Sequence, residues 1–322
     1  GLTLDASTAY ANPDNDNIHV TVLSTDPDFS TKYASGVNAT NETSSVKDNV
    51  VTIGRKSPVD TPAINGDVVG GYSDAYAVTH NTVTVDDMTL ALAKSVFGGL
   101  ADGDKAADDN EVTINGGTYA GSNVVYGGKS DTGTATNNKV TINGGHFAPN
   151  TDVYGGESAG GTAEGAAAMG NTVTITGGVF DGGNIYGGNT TGTATTTRRS
   201  SDNKVYLGAK NGAYSADLTH VNIRGAKDAR TANKLFVRAS NVTVGSLDNF
   251  DEYHFQLTQP TADAVGVPVG STMLTIRGTD GFGSNADVTM DSFRLDASEW
   301  SKDKQRYGNV GTVGLVVTNG QH

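Results

Sequence analysis

The chain has 322 residues, with 43 glycines, no cysteine and a formal net charge of -13. The lack of cysteine excludes disulfide scaffolds, Cys-ligated zinc and thiol catalysis, and the acidity argues against nucleic acid or an anionic membrane as the main partner. No apolar run approaches the roughly eighteen residues of a membrane-spanning helix.

In chain order, the opening Gly1-Leu2-Thr3, with no signal-peptide pattern, reads as the start of a mature or excised piece. Residues 1–48 hold one clear strand candidate, IHVTV at 18–22, among Asn, Asp, Ser and Thr. They are predicted to form an irregular first turn or cap, because terminal repeats must shield an open core. From Asn49 the text repeats. The pattern N-x-V-T-I, with modest substitutions, begins at Asn49, Asn81, Asn110, Asn138, Asn171 and Asn203. A second block, V-[aromatic]-G-G, follows at Val96-Phe97, Val125-Tyr126, Val153-Tyr154 and Ile185-Tyr186, with a worn copy at Val68-Val69.

The step from Asn to the next glycine pair is the same in Asn81–Gly98, Asn110–Gly127 and Asn138–Gly155, and one residue shorter in Asn171–Gly187. The step from each pair to the next Asn varies, and segments 157–170 and 189–202 are the longest insertions. One half of the unit is therefore length-locked, and the variable half is read as a surface loop.

Inside the locked half, Val140 and Ile142 share one strand face and Thr141 takes the other. A unit of about thirty residues with short β-branched strands predicts an all-β fold, a right-handed parallel β-helix in which each repeat winds one turn. A propeller blade needs about 40 residues, so this unit is too short. Val83, Val112, Val140 and Val173 should stack at intervals of about 4.8 Å. The glycine pairs should turn the corners, and the recurrent Asn should open each first strand with its amide bonded from turn to turn. The expected organisation is a cap at 1–48, a repetitive β-helix at 49–245 and a C-terminal β region at 246–322. In that last region Tyr253, Phe255 and Leu257 alternate, strands are expected around MLTIRG, ADVTM and VGLVV, and Trp300 is the only tryptophan.

The combination of N-x-V-T-I-x-G-G, V-Y-G-G-x-S and a following D-N-F-D-E-Y-H-F-x-L resembles the repetitive passenger regions of Gram-negative autotransporters (type V secretion), from Asn49 to Leu257. The resemblance implies a right-handed β-helix anchored at the outer membrane or released from it, serving in cell adhesion, aggregation or virulence. It also implies that missing cysteines ease outer-membrane crossing, and that residues after Ser246 nucleate folding. Membrane attachment would need a translocator barrel, and no series of alternating spanning strands is read near His322.

Catalysis finds little support in the residues. The outward position of the first strand is Thr52, Thr84, Thr113, Thr141, Thr174 and then Tyr206. A threonine row pairs well between strands but offers no general acid or base near neutral pH. No nucleophile elbow and no serine-protease signature is expected. His19, His80, His146, His220, His254 and His322 fall at unrelated repeat positions. His80 and His146 are expected at corners or in solvent without partners. The acidic run 102–111 fails as an EF-hand loop, since Ala107 and Thr113 occupy the places that need Gly and Glu, and it reads as a solvated insertion. No catalytic residue, metal site or cofactor is therefore expected.

The aromatic positions Phe97, Tyr126, Tyr154 and Tyr186 should form a ladder, either packed or presented to sugar rings. With Arg198 and Arg199 in the second long insertion, Tyr126, Tyr154 and Tyr186 make the candidate binding surface. The expectation is a non-enzymatic surface adhesin whose partner is a host glycoprotein, glycan or matrix protein, or another cell through self-association. The alternatives are a carbohydrate-active β-helix enzyme and a purely structural stalk.

Overall fold

Period-two alternation in the N-x-V-T-I text yields strands Val50–Ile53, Thr82–Val85, Glu111–Ile114, Lys139–Ile142, Thr172–Ile175 and Lys204–Leu207. In the computed structural model these strands pair in parallel without a register slip. Val51, Val83, Val112, Val140, Val173 and Val205 thus form one column, fully buried. The result is a parallel β-solenoid of about six turns. The structure describes residues 2–4, 19–22, 35–38, 46–54, 63–64, 66–160, 167–191, 200–210, 213–226, 232–256, 272–278, 287–292, 300–301, 306–307 and 314–318. Among the described residues there is no helix.

Two long sheets form the walls. The first has eleven strands and carries the Asn-led segments; it is parallel except where Leu2–Leu4 meets His19–Val22. The second has ten strands and carries the V-[aromatic]-G-G segments, including Ser95–Ala101, Val124–Ser130, Asp152–Ser158 and Asn184–Thr190. The worn copy, Val68–Ser73, joins it in register, with Val69 beside Phe97. Both sheets continue past Ser246. Glu252–Gln256 and Asp287–Ser292 extend the first, and Thr272–Ile276 and Gly314–Thr318 extend the second. Tyr253 and Phe255 face inward as their alternation predicts, while Leu257 lies outside the described residues.

The variable half is not simply loop. In the shorter repeats it holds a third strand, so Val46–Lys47, Val78–Thr79 and Ala107–Asp108 form a three-stranded parallel sheet. The acidic run is accordingly more than a solvated insertion: Ala107 and Asn110 within it are buried. A further five-stranded sheet, from Ala63–Ile64 to Val179–Phe180, closes the remaining side.

The two kinds of glycine pair do different work. In N-G-G the second glycine sits at a corner with positive φ, 105° at Gly117 and 111° at Gly145, as expected. The pair in V-Y-G-G does not turn the chain; it lies inside a strand, which corrects the corner assignment. There the missing side chain is what matters. A Cβ on Gly127 would strike the Gly155 carbonyl of the next turn, and one on Gly156 would come within 2.6 Å of the Asn171 amide oxygen.

That amide belongs to a ladder buried between the walls. The backbone N–H and Nδ2 of Asn81 both donate to Asn110 Oδ1, at 3.0 and 2.9 Å, and Asn81 Nδ2 also donates to the Val46 carbonyl at 3.2 Å. The backbone bond recurs from Asn49 to Asn81, Asn110 to Asn138, Asn138 to Asn171 and Asn171 to Asn203. Two members were not anticipated: Asn203 N–H donates to Asn233 Oδ1, and Asn233 N–H to Asp251 Oδ2 at 3.1 Å. A buried amide with its partners in place costs little, whereas an orphaned one costs about 1–3 kcal/mol.

The residue before each ladder asparagine turns left-handed, with φ of 58° at Asp48 and His80, 57° at Asp109, 56° at Asn137 and Asp202, and 55° at Ala232. Asn, Asp and His tolerate this region better than alanine does. Ala232→Asn is therefore expected to raise stability by about 0.5–1 kcal/mol, read as a higher denaturant midpoint with an unchanged slope.

Inside the core Tyr119, Phe147 and Phe180 stack at centroid distances of 4.4 and 4.1 Å. The Tyr119 hydroxyl is buried without a hydrogen-bond partner among the described residues, and burial pushes this phenol far up from its ordinary range. Tyr119→Phe keeps the ring and removes the orphan, so thermal unfolding should show a gain of up to about 1 kcal/mol.

Candidate binding surfaces

The second sheet presents the predicted aromatic ladder. Phe97, Tyr126, Tyr154 and Tyr186 stack in order at 5.0, 5.1 and 4.6 Å, with nearly parallel rings. They lie on the side of the sheet opposite Val96, Val125, Val153 and Ile185, which enter the main core, and with Val69 they form a separate apolar cluster. Only 7% of Tyr126, 7% of Tyr154 and 4% of Tyr186 is exposed, so little ring surface meets solvent. Burial, then Glu157 and Asp152, pushes the Tyr126 and Tyr154 phenols far above their usual range.

The neighbouring column in register is Leu100, Lys129, Glu157 and Asn189. Glu157 accepts a bond from Asn189 Nδ2 at 3.0 Å and lies 3.9 Å from the Lys129 ammonium, which is itself 5.1 Å from the Tyr126 ring centroid. Earlier in the chain the Tyr72 hydroxyl donates to Asp102 at 2.7 Å, and this bond, with burial, raises the phenol to about 12. Arg198 and Arg199, the other half of the predicted surface, lie outside the described residues.

The first sheet presents the threonine row as expected: Thr52, Thr84, Thr113, Thr141 and Thr174 are successive partners in register. Its flanks are polar and mutually satisfied. Lys139 pairs with Glu111 at 2.7 Å, and Asn115 and Asn143 relay hydrogen bonds between Asp86 and Thr176. After Thr174 the row changes character. Tyr206, Phe236 and His254 stack at 4.5 and 4.6 Å, half-buried on the outer face.

The Arg238 guanidinium lies 3.9 Å from the Tyr206 ring centroid, and its Nε donates to Gln256 Oε1 at 2.9 Å. Burial draws this guanidinium somewhat below the usual arginine range, opposed by Tyr206, and it stays charged. Glu252 accepts from Lys234 and meets His254, each at 2.9 Å; the Lys234 bond leads in holding its carboxyl below the ordinary glutamate range. The sequence reading stopped this row at Tyr206. The signal it passed over is the alternation shared by KVYL, KLFV and EYHF, which puts a ring at the same outward position three times.

Several other residues of catalytic type have identifiable surroundings. The letters of a nucleophile elbow, G-x-S-x-G, do occur at residues 156–160, against the expectation of none. Ser158 there ends a strand, is fully buried and donates to the Gly133 carbonyl at 2.6 Å, so it presents no exposed nucleophile. His80 occupies an exposed corner as predicted. His146 is exposed too, but it has a partner: its Nε2 lies 2.9 Å from Asp181, which corrects the expectation of none. In the acidic run, Asp104 pairs with Lys105, Asp108 accepts from Thr134 and Thr136, and Glu111 meets Lys139. Among the described residues no three His, Asp or Glu side chains gather as a metal site would require.

A scan against protein-family models finds no match, and searches of the curated proteins and of the solved structures find none either.

Proposed function

We propose that the chain is the passenger of a Gram-negative autotransporter and acts at the cell surface as an adhesin, without catalysis. The observation that supports this reading most is the outer face of the first sheet. It repeats threonine at a fixed position through successive turns, and on its flank Lys139 and Glu111 pair across adjacent turns. Such a face offers many equivalent weak contacts along an axis, which suits attachment.

The test is to display the chain on a bacterium that has no other adhesin and to score attachment to host glycoproteins, glycans and matrix proteins, together with cell–cell aggregation. Attachment or aggregation above the undisplayed control is expected, with no reducing ends released from polysaccharides by the purified chain. Depolymerisation by the purified chain would overturn the reading in favour of an enzyme.

A further inference from the structure

The patch around Tyr206, Phe236 and His254 combines stacked rings with bordering cations. Three cations border the ring column: Lys204 and Lys234 on one side and Arg238 on the other. Lys234 is neutralised by Glu252 at 2.9 Å. Lys204 and Arg238 make no ion pair among the described residues. On a chain whose net charge is -13, two cations without an ion pair thus flank a column of half-buried rings, ready to attract an anion.

Arg238 is also held in place. Its guanidinium rests against Tyr206 and its Nε is fixed by Gln256, so the fork is ordered before any ligand arrives. An ordered guanidinium recognises a planar oxyanion in its own plane, and a carboxylate matches that geometry. Lys204 and Arg238 stand on adjacent strands with the ring column between them, about 14 Å apart at the backbone from strand rise and spacing. A ligand reaching both therefore bears more than one acid group and carries apolar surface between them.

We infer that this patch binds a carboxylated polysaccharide, with uronate groups at Arg238 and Lys204 and sugar C–H groups against the outward edges of the stacked rings. The inference rests on the adhesin reading and names the class of its ligand. It does not use the Tyr126–Tyr154–Tyr186 ladder, whose rings are too deeply buried to serve.

The experiment measures retention of the purified chain on immobilised polygalacturonate, with dextran, dextran sulfate and poly-L-glutamate as parallel surfaces. Retention on polygalacturonate should exceed that on the other three and fall with added salt. Arg238→Gln and Lys204→Gln should each weaken it at least tenfold, while Lys105→Gln, outside both the patch and the threonine face, should leave it unchanged. Circular dichroism checks folding, and Lys204→Gln decides the matter should Arg238→Gln fail to fold. Equal retention on dextran overturns the role of charge. Equal retention on dextran sulfate or polyglutamate overturns the carboxylated glycan, and wild-type retention by a folded variant overturns the site. Cells that still attach elsewhere after such a result leave the adhesin reading standing, so the two failures are distinguishable.

Discussion

Asn138→Ala is expected to destabilise the solenoid by about 3–5 kcal/mol, because it orphans several buried groups at once. Asn138 Oδ1 accepts from the backbone N–H and the Nδ2 of Asn110 at 2.9 and 3.2 Å, and its own Nδ2 donates to the Ala107 carbonyl at 2.8 Å and to Asn171 at 3.2 Å. Alanine fits the space but satisfies none of these. The loss should be local as well as global: amide exchange at Asn110 should speed up more than at Asn203, since repeat arrays open by neighbouring units.

Asn138→Asp separates hydrogen bonding from shape. It keeps an acceptor, loses the amide donors and buries a charge, so it should be destabilised at neutral pH. Burial raises the pKa of that carboxyl above its unfolded value. The folded state then favours the protonated form, and part of the lost stability should return as pH falls through the raised value. A variant whose deficit grows on acidification would contradict this account.

Gly127→Ala should cost about 3 kcal/mol or more, although it adds only one methyl group. The new Cβ would run into the Gly155 carbonyl and lie 3.0 Å from the Asn138 Cβ, and a backbone carbonyl in a locked parallel register cannot swing aside. Gly103→Ala is the control. Its φ is +63°, yet nothing lies within 4 Å of the added carbon, so only the left-handed backbone penalty of about 1 kcal/mol remains. Denaturant titration of the two variants should separate them clearly. Similar losses would mean that glycine's freedom, rather than the close approach of adjacent turns, explains the mid-strand pairs.

Much of this architecture was legible because strand text has a period of two. Val112, Thr113 and Ile114 announce their faces in three letters, and the repeat supplies their partners. The glycines were legible only in part. N-G-G and Y-G-G look alike as text, yet one answers a corner's positive φ and the other an approach between backbones, and only the folded chain distinguishes them. Asp251 escaped notice because the ladder step, 28 residues from Asn110 to Asn138, shrinks to 18 after Asn233; Asn233 keeps an ordinary step of 30 from Asn203, but the KLFV that follows it has lost the V-T-I letters. His146 and Asp181 are 35 residues apart, and no local pattern joins them. The column from Tyr206 to His254 was hidden because three different rings fill one position, and repetition of letters fails where repetition of shape persists.

The amide column has a head and a tail. Each asparagine offers its Oδ1 to the turn before it and its backbone N–H to the turn after, until Asp251 receives from Asn233. Cutting before Asn110 or before Asn171 therefore exposes chemically identical ends, and a whole unit could be duplicated or excised there without leaving a mismatched joint. Copying the aspartate along with it would plant an ionised acid in mid-column with no side-chain N–H to hand onward. Length variation in this protein should accordingly be free upstream of residue 251 and resisted across it.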